Sequence, residues 1–166
     1  LGSVRLQSLS TRWRSLRRWL ALGGDTGSLE SLEGRIFLDA VAWTGSAGDN
    51  LWHTPGNWSN SAVPTIVDDV SINVPASNPT IVFNGSSGSR AVRSLNMAEA
   101  FSIQGGTLQV ATTAMFTTTI SMSGGTIRGG SLTLQVPSTL DGGTLDGVTI
   151  NGDFRIVGNN AVTVVN

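Results

Sequence analysis

The chain has no cysteine, no lysine and no tyrosine, and a single histidine, His53. Without cysteine there is no disulfide, no thiol nucleophile and no thiolate metal site. Without lysine there is no P-loop lysine and no Schiff-base chemistry. One histidine leaves no room for a multi-histidine metal centre. Charged side chains are also scarce, 13% of 166 residues against 39% hydrophobic ones, and all ten basic residues are arginine. No run approaches the ~20 consecutive apolar residues of a membrane-spanning helix. What is abundant is glycine, 21 residues, in a length that suits one domain or one module with an appendage.

The net charge of −1 hides an asymmetry. Residues 1–22 carry Arg5, Arg12, Arg14, Arg17 and Arg18 and no acid, whereas residues 41–166 carry four arginines against seven acids. A body whose basic residues are only Arg90, Arg93, Arg128 and Arg155 offers no phosphate-tracking face, so nucleic acid is excluded as its partner. In the leader, Leu6, Leu9, Trp13, Leu16 and Leu20 recur at spacings of 3, 4, 3 and 4, the period of one helix face. A basic amphipathic helix of this kind suits an anionic membrane surface, and a solvated helix end with no role is the plain alternative. Gly23, Gly24 and Asp25 interrupt the apolar stretch after Leu22, so an ordinary secretory signal, with its roughly 7–15 apolar residues, is not present in this segment.

Three stretches follow from composition: a leader over 1–40, a Trp-rich capping module over 41–75 and repeats over 76–166. In the last stretch, Ile103-Gln-Gly-Gly-Thr-Leu108, Met122-Ser-Gly-Gly-Thr-Ile127 and Leu140-Asp-Gly-Gly-Thr-Leu145 share one form at intervals of 19 and 18 residues. Degenerate copies run from Ile127 to Leu132 and from Leu145 to Ile150, and the 18-residue offset extends to the pairs Leu132/Ile150 and Val136/Phe154. A unit this short cannot close its own core, so its apolar side chains must be covered by the turns of chain above and below. Stacking at the ~4.8 Å inter-strand spacing places Ile103, Met122 and Leu140 in one column and Leu108, Ile127 and Leu145 in another. Thr107, Thr126 and Thr144 form a hydroxyl ladder, and the Gly-Gly pairs mark corners where no Cβ fits. The fold class expected is all-β, a parallel β-solenoid. Helical periodicity is absent beyond Leu22 save for a short piece over Leu95–Ala100.

Two further segments carry resemblances. Leu32-Glu33-Gly34-Arg35-Ile36-Phe37-Leu38 resembles the LEPR-XLL motif found near the start of large envelope and surface proteins of planctomycete-type bacteria, with Gly34 and Phe37 departing from it. Trp43-Thr-Gly, Asn57-Trp58, Pro64 and Asp68-Asp69-Val70-Ser71-Ile72 resemble the module that opens many secreted bacterial β-helix proteins. The repeats likewise resemble autotransporter-like and pectin-lyase-like β-helices. These resemblances imply the cell envelope, the cell surface or secretion as the location. They also imply a cap over the first coil.

The search for chemistry returns little. His53 lies in a Trp/Gly/Asn-rich loop without a nucleophile elbow. The acids of the body are Asp49, Asp68, Asp69, Glu99, Asp141, Asp146 and Asp153, among which Asp141 and Asp146 are the candidates for paired carboxylates, with turn-capping as their alternative role. The segment Gly142–Ile150 resembles a calcium-binding nonapeptide only once and with its aspartate misplaced, and Asp68-Asp69 are adjacent, so no metal and no cofactor is expected. Asn57 and Asn84 fit the glycosylation acceptor pattern. Trp43, Trp52 and Trp58 serve either as cap packing or as flat faces for sugar rings, the latter making a glycan or cell-envelope component a partner. The expected function is a non-catalytic structural or adhesive module, with a carbohydrate-binding or polysaccharide-cleaving β-helix as the alternative. An autotransporter-like passenger is a third reading. The strand Ala161–Asn166 carries no cap of its own, so the C-terminal coil is expected to pack on further chain or on another subunit.

Overall fold

The computed structural model describes residues 40–166. The basic stripe of the leader and the LEPR-XLL-like segment up to Asp39 lie outside the described residues.

Among the described residues fourteen short strands wind as a parallel β-solenoid of about five coils. The first face stacks β1 (Ala40–Ala42), β2 (Asp69–Ile72), β5 (Ser94–Met97), β8 (Thr113–Phe116), β10 (Ser131–Leu134) and β12 (Thr149–Asn151). The second stacks β3 (Thr80–Phe83), β6 (Ala100–Ile103), the first halves of β9 (Ile120–Arg128) and β11 (Ser138–Asp146), and β13 (Phe154–Ile156). The third stacks β4 (Ser89–Val92), β7 (Thr107–Val110), the second halves of β9 and β11, and β14 (Val162–Val165). Every one of these pairings is parallel, as coils of one sense require.

The register reproduces the columns expected from the repeats. Ile103 pairs with Met122 and Met122 with Leu140. Leu108 pairs with Ile127, Ile127 with Leu145, and Thr107, Thr126 and Thr144 align beside them. The apolar columns are buried, because alternation along each strand sends one set inward and the next set outward. Leu132 faces Ile150 as expected. Phe154, however, pairs with Ser138 and not with Val136. The offset there is shorter because Val136 and Pro137 belong to the corner before β11, and a corner residue has no ladder partner.

Gly-Gly pairs form the corner between second and third faces. Gly125 takes φ +74, and a Cβ there would lie 2.8 Å from the Gly105 carbonyl carbon one coil below. Gly106 repeats this, with φ +75 and 2.6 Å to the Gly88 oxygen. Both the left-handed backbone and the close approach of coils exclude any side chain.

Two boundaries differ from the sequence expectation. β2, inside the 41–75 stretch, is already part of the first coil, because Val70 and Ile72 stack on Leu95 and Met97. The Leu95–Ala100 piece is no helix: Ser94–Met97 is β5, and its alternating Leu95 and Met97 are both buried. The first coil is also longer than the later ones, since Asp69 aligns with Ser94, 25 residues on, whereas Ser131 aligns with Thr149, 18 on. The extra residues are loops at 73–79 and 84–88, outside the strands.

Candidate functional site

The stretch from Trp43 to Thr65 closes the end of the stack over the first coil. It is closed on itself by an antiparallel bridge between Trp43 and Trp58 and tied onto the first coil by a parallel bridge between Leu51 and Val82. Trp52 is the plug, 0% exposed, with its ring centroid 5.7 Å from both Phe83 and Phe101. Trp58 packs edge-on against it at 4.8 Å, and Trp43 edge-on against Trp58 at 4.9 Å. The aromatic column then continues down the core, with Phe101 stacked on Phe116 at 6.3 Å. Edge-to-face contact suits the charge distribution of the rings and fills the wide first coil with few side chains. Trp58 Nε1 donates to the Trp52 carbonyl at 2.9 Å, which fixes the two indoles relative to one another.

A polar knot holds this lid. Asn57 is fully buried in it. Its Nδ2 donates to Asp49 Oδ1 at 2.6 Å and to the Leu51 carbonyl at 3.2 Å, while its Oδ1 accepts from the Ala47 amide at 3.0 Å. Asp49 in turn accepts from the Thr54 hydroxyl at 2.6 Å and from the Leu51 amide at 3.0 Å. The Thr54 hydroxyl foremost, then the Leu51 amide, with help from Asn57 and the charge of His53, hold the Asp49 carboxyl below the ordinary value of 3.8. Sequence reasoning counted Asp49 only as an acid and Asn57 only as a glycosylation acceptor. With no exposure, Asn57 offers no acceptor nitrogen to a glycosyl donor; its three side-chain hydrogen bonds are what the loop needs.

The tryptophans therefore take the packing role. Trp43, Trp52 and Trp58 are 4%, 0% and 2% exposed, so the expectation that they stack on sugar rings is corrected: no indole face is open to a pyranose. The two candidate carboxylates each have a partner of their own. Asp146 is engaged by Arg128, Nε to Oδ2 at 2.7 Å, directly beside it in the ladder. Asp141 lies on the other side of the Gly142-Gly143 corner, against Gly158, and accepts from Asn160 at 3.4 Å. Asp146 is thus occupied by an adjacent guanidinium, and Asp141 by a neighbouring loop.

Asp68, Asp69 and Glu99 also bind within the stack. Asp68 accepts from the Thr65 amide at 2.7 Å and hydroxyl at 2.8 Å. Asp69 binds Arg93 and the Ser94 hydroxyl one coil below. Glu99, buried at the corner between β5 and β6, accepts from the Val74 amide at 2.6 Å and so pins the 73–79 loop of the first coil onto the second. His53 Nδ1 has no hydrogen-bond partner among the described residues. Among those residues no three of His, Asp and Glu gather as metal ligands, and no helix is long and apolar enough to cross a membrane.

The outward positions make the lateral surfaces. On the first face they read Asp69-Ser71, Ser94-Asn96, Thr113-Met115, Ser131-Thr133 and Thr149-Asn151 from coil to coil. On the third, Ser89, Thr107, Thr126, Thr144 and Thr163 form one unbroken hydroxyl ladder. Short, neutral and β-branched side chains at these positions are those that pack well against their ladder neighbours. No protein family, curated protein or solved structure matches this chain.

Proposed function

We propose that the chain is a non-catalytic structural or adhesive module of a bacterial cell-surface or secreted repeat protein. One observation carries this reading: most of the acidic side chains of the body are engaged in holding the stack together. Asp49 and Asn57 tie down the lid, Asp69 is bound to Arg93, Asp146 to Arg128, and Glu99 to the Val74 amide. What faces outward is a set of short, mostly neutral ladders on a stiff frame. Such a module works by shape, as a spacer or as a flat hydrogen-bonding face, without a reaction. The basic leader and its LEPR-XLL resemblance supply the envelope half of the proposal.

The test is surface protease shaving of intact cells, read with an antibody against residues 41–166. Cleavage or release from unlysed cells is the expected result. Protection until lysis, with the protein in the soluble cytoplasmic fraction, would overturn the location and the adhesive role together.

A further inference from the structure

Three triplets in the chain read asparagine, any residue, then serine or threonine: Asn57-Trp58-Ser59, Asn78-Pro79-Thr80 and Asn84-Gly85-Ser86. N-linked sugar requires this pattern with no proline in the middle. Pro79 removes the second triplet. The first is closed by the fold, because Asn57 has no exposure and its amide nitrogen donates to Asp49 and to the Leu51 carbonyl. Asn84 remains.

Asn84 stands where the corner between the second and third faces is widened. In the second coil that corner is Gln104-Gly105-Gly106, between β6 and β7, whereas in the first it is residues 84–88, between β3 and β4, with a short 3-10 turn over Gly85–Ser87. Alternation along β3 buries Ile81 and Phe83 and sends Asn84 outward. Gly85, Ser86 and Gly88 are exposed, and a Cβ on either glycine would meet no atom within 4 Å, so the space over the loop is open. Gln104, which follows Asn84 in the ladder, donates its side-chain amide to the Ser102 hydroxyl at 3.2 Å and not to Asn84. Asn84 Oδ1 accepts from the Ser86 amide at 3.0 Å. That bond holds the carbonyl end of the side chain against the loop. The Nδ2 end, like the Ser86 hydroxyl, has no hydrogen-bond partner among the described residues.

We propose that Asn84 is a glycosylation site, its Nδ2 taking a sugar from a saccharide carried on a diphosphate. The bond from the anomeric carbon to the phosphate oxygen breaks, and the phosphate leaves with the electron pair. A bond from that carbon to Asn84 Nδ2 forms, and the Nδ2 proton passes to a base of the transferring enzyme. Such an enzyme reads the hydroxyl two residues beyond the acceptor, and here nitrogen and hydroxyl are both free on one exposed turn. The position also suits the surfaces of the stack. In a coil of three faces, the corner between the second and third lies across from the first. A glycan at Asn84 therefore leaves the mostly neutral rows of the first face open. The modification goes beyond the surface location proposed above and is testable apart from it.

The experiment is mass spectrometry of the chain recovered from the cells that make it. Cleavage after arginine yields a peptide of residues 36–90 that contains both Asn57 and Asn84, and fragmentation assigns any added mass within it. A saccharide mass on Asn84, with Asn57 bare, is the expected result. Ser86→Ala keeps Asn84 and the backbone N–H that holds its side chain, and should abolish the added mass. Ser86→Thr should retain it. A bare Asn84 in the parent chain would overturn the proposal. So would sugar on Asn57, or a modification indifferent to Ser86→Ala. Failure here and failure of the surface location are distinguishable by the shaving test. Protein cleaved on intact cells but bare at Asn84 removes the glycan and leaves the location standing, and cytoplasmic protein bearing the glycan does the reverse.

Discussion

The two ends of the stack are made of the same material and treated in opposite ways. At the first coil, Trp52 fills the centre at 0% exposure, and a loop held by Asn57 and Asp49 seals it. At the fifth, Val164 and Ile156 occupy equivalent inward positions and are more than two-thirds as exposed as free side chains. The alternation of apolar and polar residues is alike at both, so pattern alone does not bury a side chain. Burial in a solenoid is conferred by the neighbouring coil, and the last element on either side is only as dry as what lies on it.

That contrast yields graded expectations. The largest concerns the plug itself. Trp52→Ala should cost about 4 kcal/mol in urea unfolding, by analogy with buried aromatic truncations elsewhere. At the other end Ile156→Ala, examined in dilute protein, should change stability by no more than about 0.5 kcal/mol. If the two substitutions cost the same, the ends are not different in kind.

Gly125→Ala comes next and probes the shared frame between the ends. The left-handed φ and the 2.8 Å approach to Gly105 both oppose a methyl group. A loss of about 3 kcal/mol is expected from strain and the displaced coil together. A near-neutral result would mean that the corner rearranges without resistance.

The lid's polar knot should show a smaller, pH-dependent effect. Asp49 has a folded-state pKa depressed below 3.8, chiefly by the Thr54 hydroxyl. Its contribution is therefore fully present above that value and is lost as the pH falls through the depressed one. The urea midpoint of the parent chain should exceed that of Asp49→Asn at neutral pH, and the gap should close in acid. A gap that persists well below pH 3.8 would show that the carboxylate charge is not what the lid uses. Smallest of all is Arg128→Ala, which removes an ion pair with Asp146 on the solvent side of the third face. About 0.5 kcal/mol or less is expected, diminished further by salt.

Much of this architecture was legible in the chain. The recurrence of apolar-x-Gly-Gly-Thr-apolar marks inward positions, corners and outward hydroxyls at once, because one short coil has to provide all three. The registers Ile103/Met122/Leu140 and Thr107/Thr126/Thr144 follow from counting residues. Counting fails where corners differ in length. Nothing in Val136-Pro137 says how many residues the turn before β11 consumes, so Phe154 landed two positions from its expected partner. The first coil hid for the same reason, its strands being spread apart by the 73–79 and 84–88 loops.

The candidate site was legible in residue type and not in role. Three tryptophans among turn formers announce a lid or a sugar platform, and composition cannot separate the two. The decision rests on which faces are covered: Phe83 and Phe101, 31 and 49 residues downstream, pack on Trp52, and Trp58 packs between Trp52 and Trp43. Asp49, Asn57 and Glu99 are similar cases. Their partners are amides and hydroxyls of loops, which carry no signature in a one-dimensional string.

The amino-acid pattern alone specifies the unit: its period, its inward columns, its glycine corners and the parallel sense of its stacking. These are local consequences of strand alternation and of the backbone freedom that only glycine has. The tertiary structure alone decided which end is closed, which indoles are buried and which carboxylates are occupied. Each of those depends on contacts between segments distant in the chain, whose separation is set by loops that no periodicity governs.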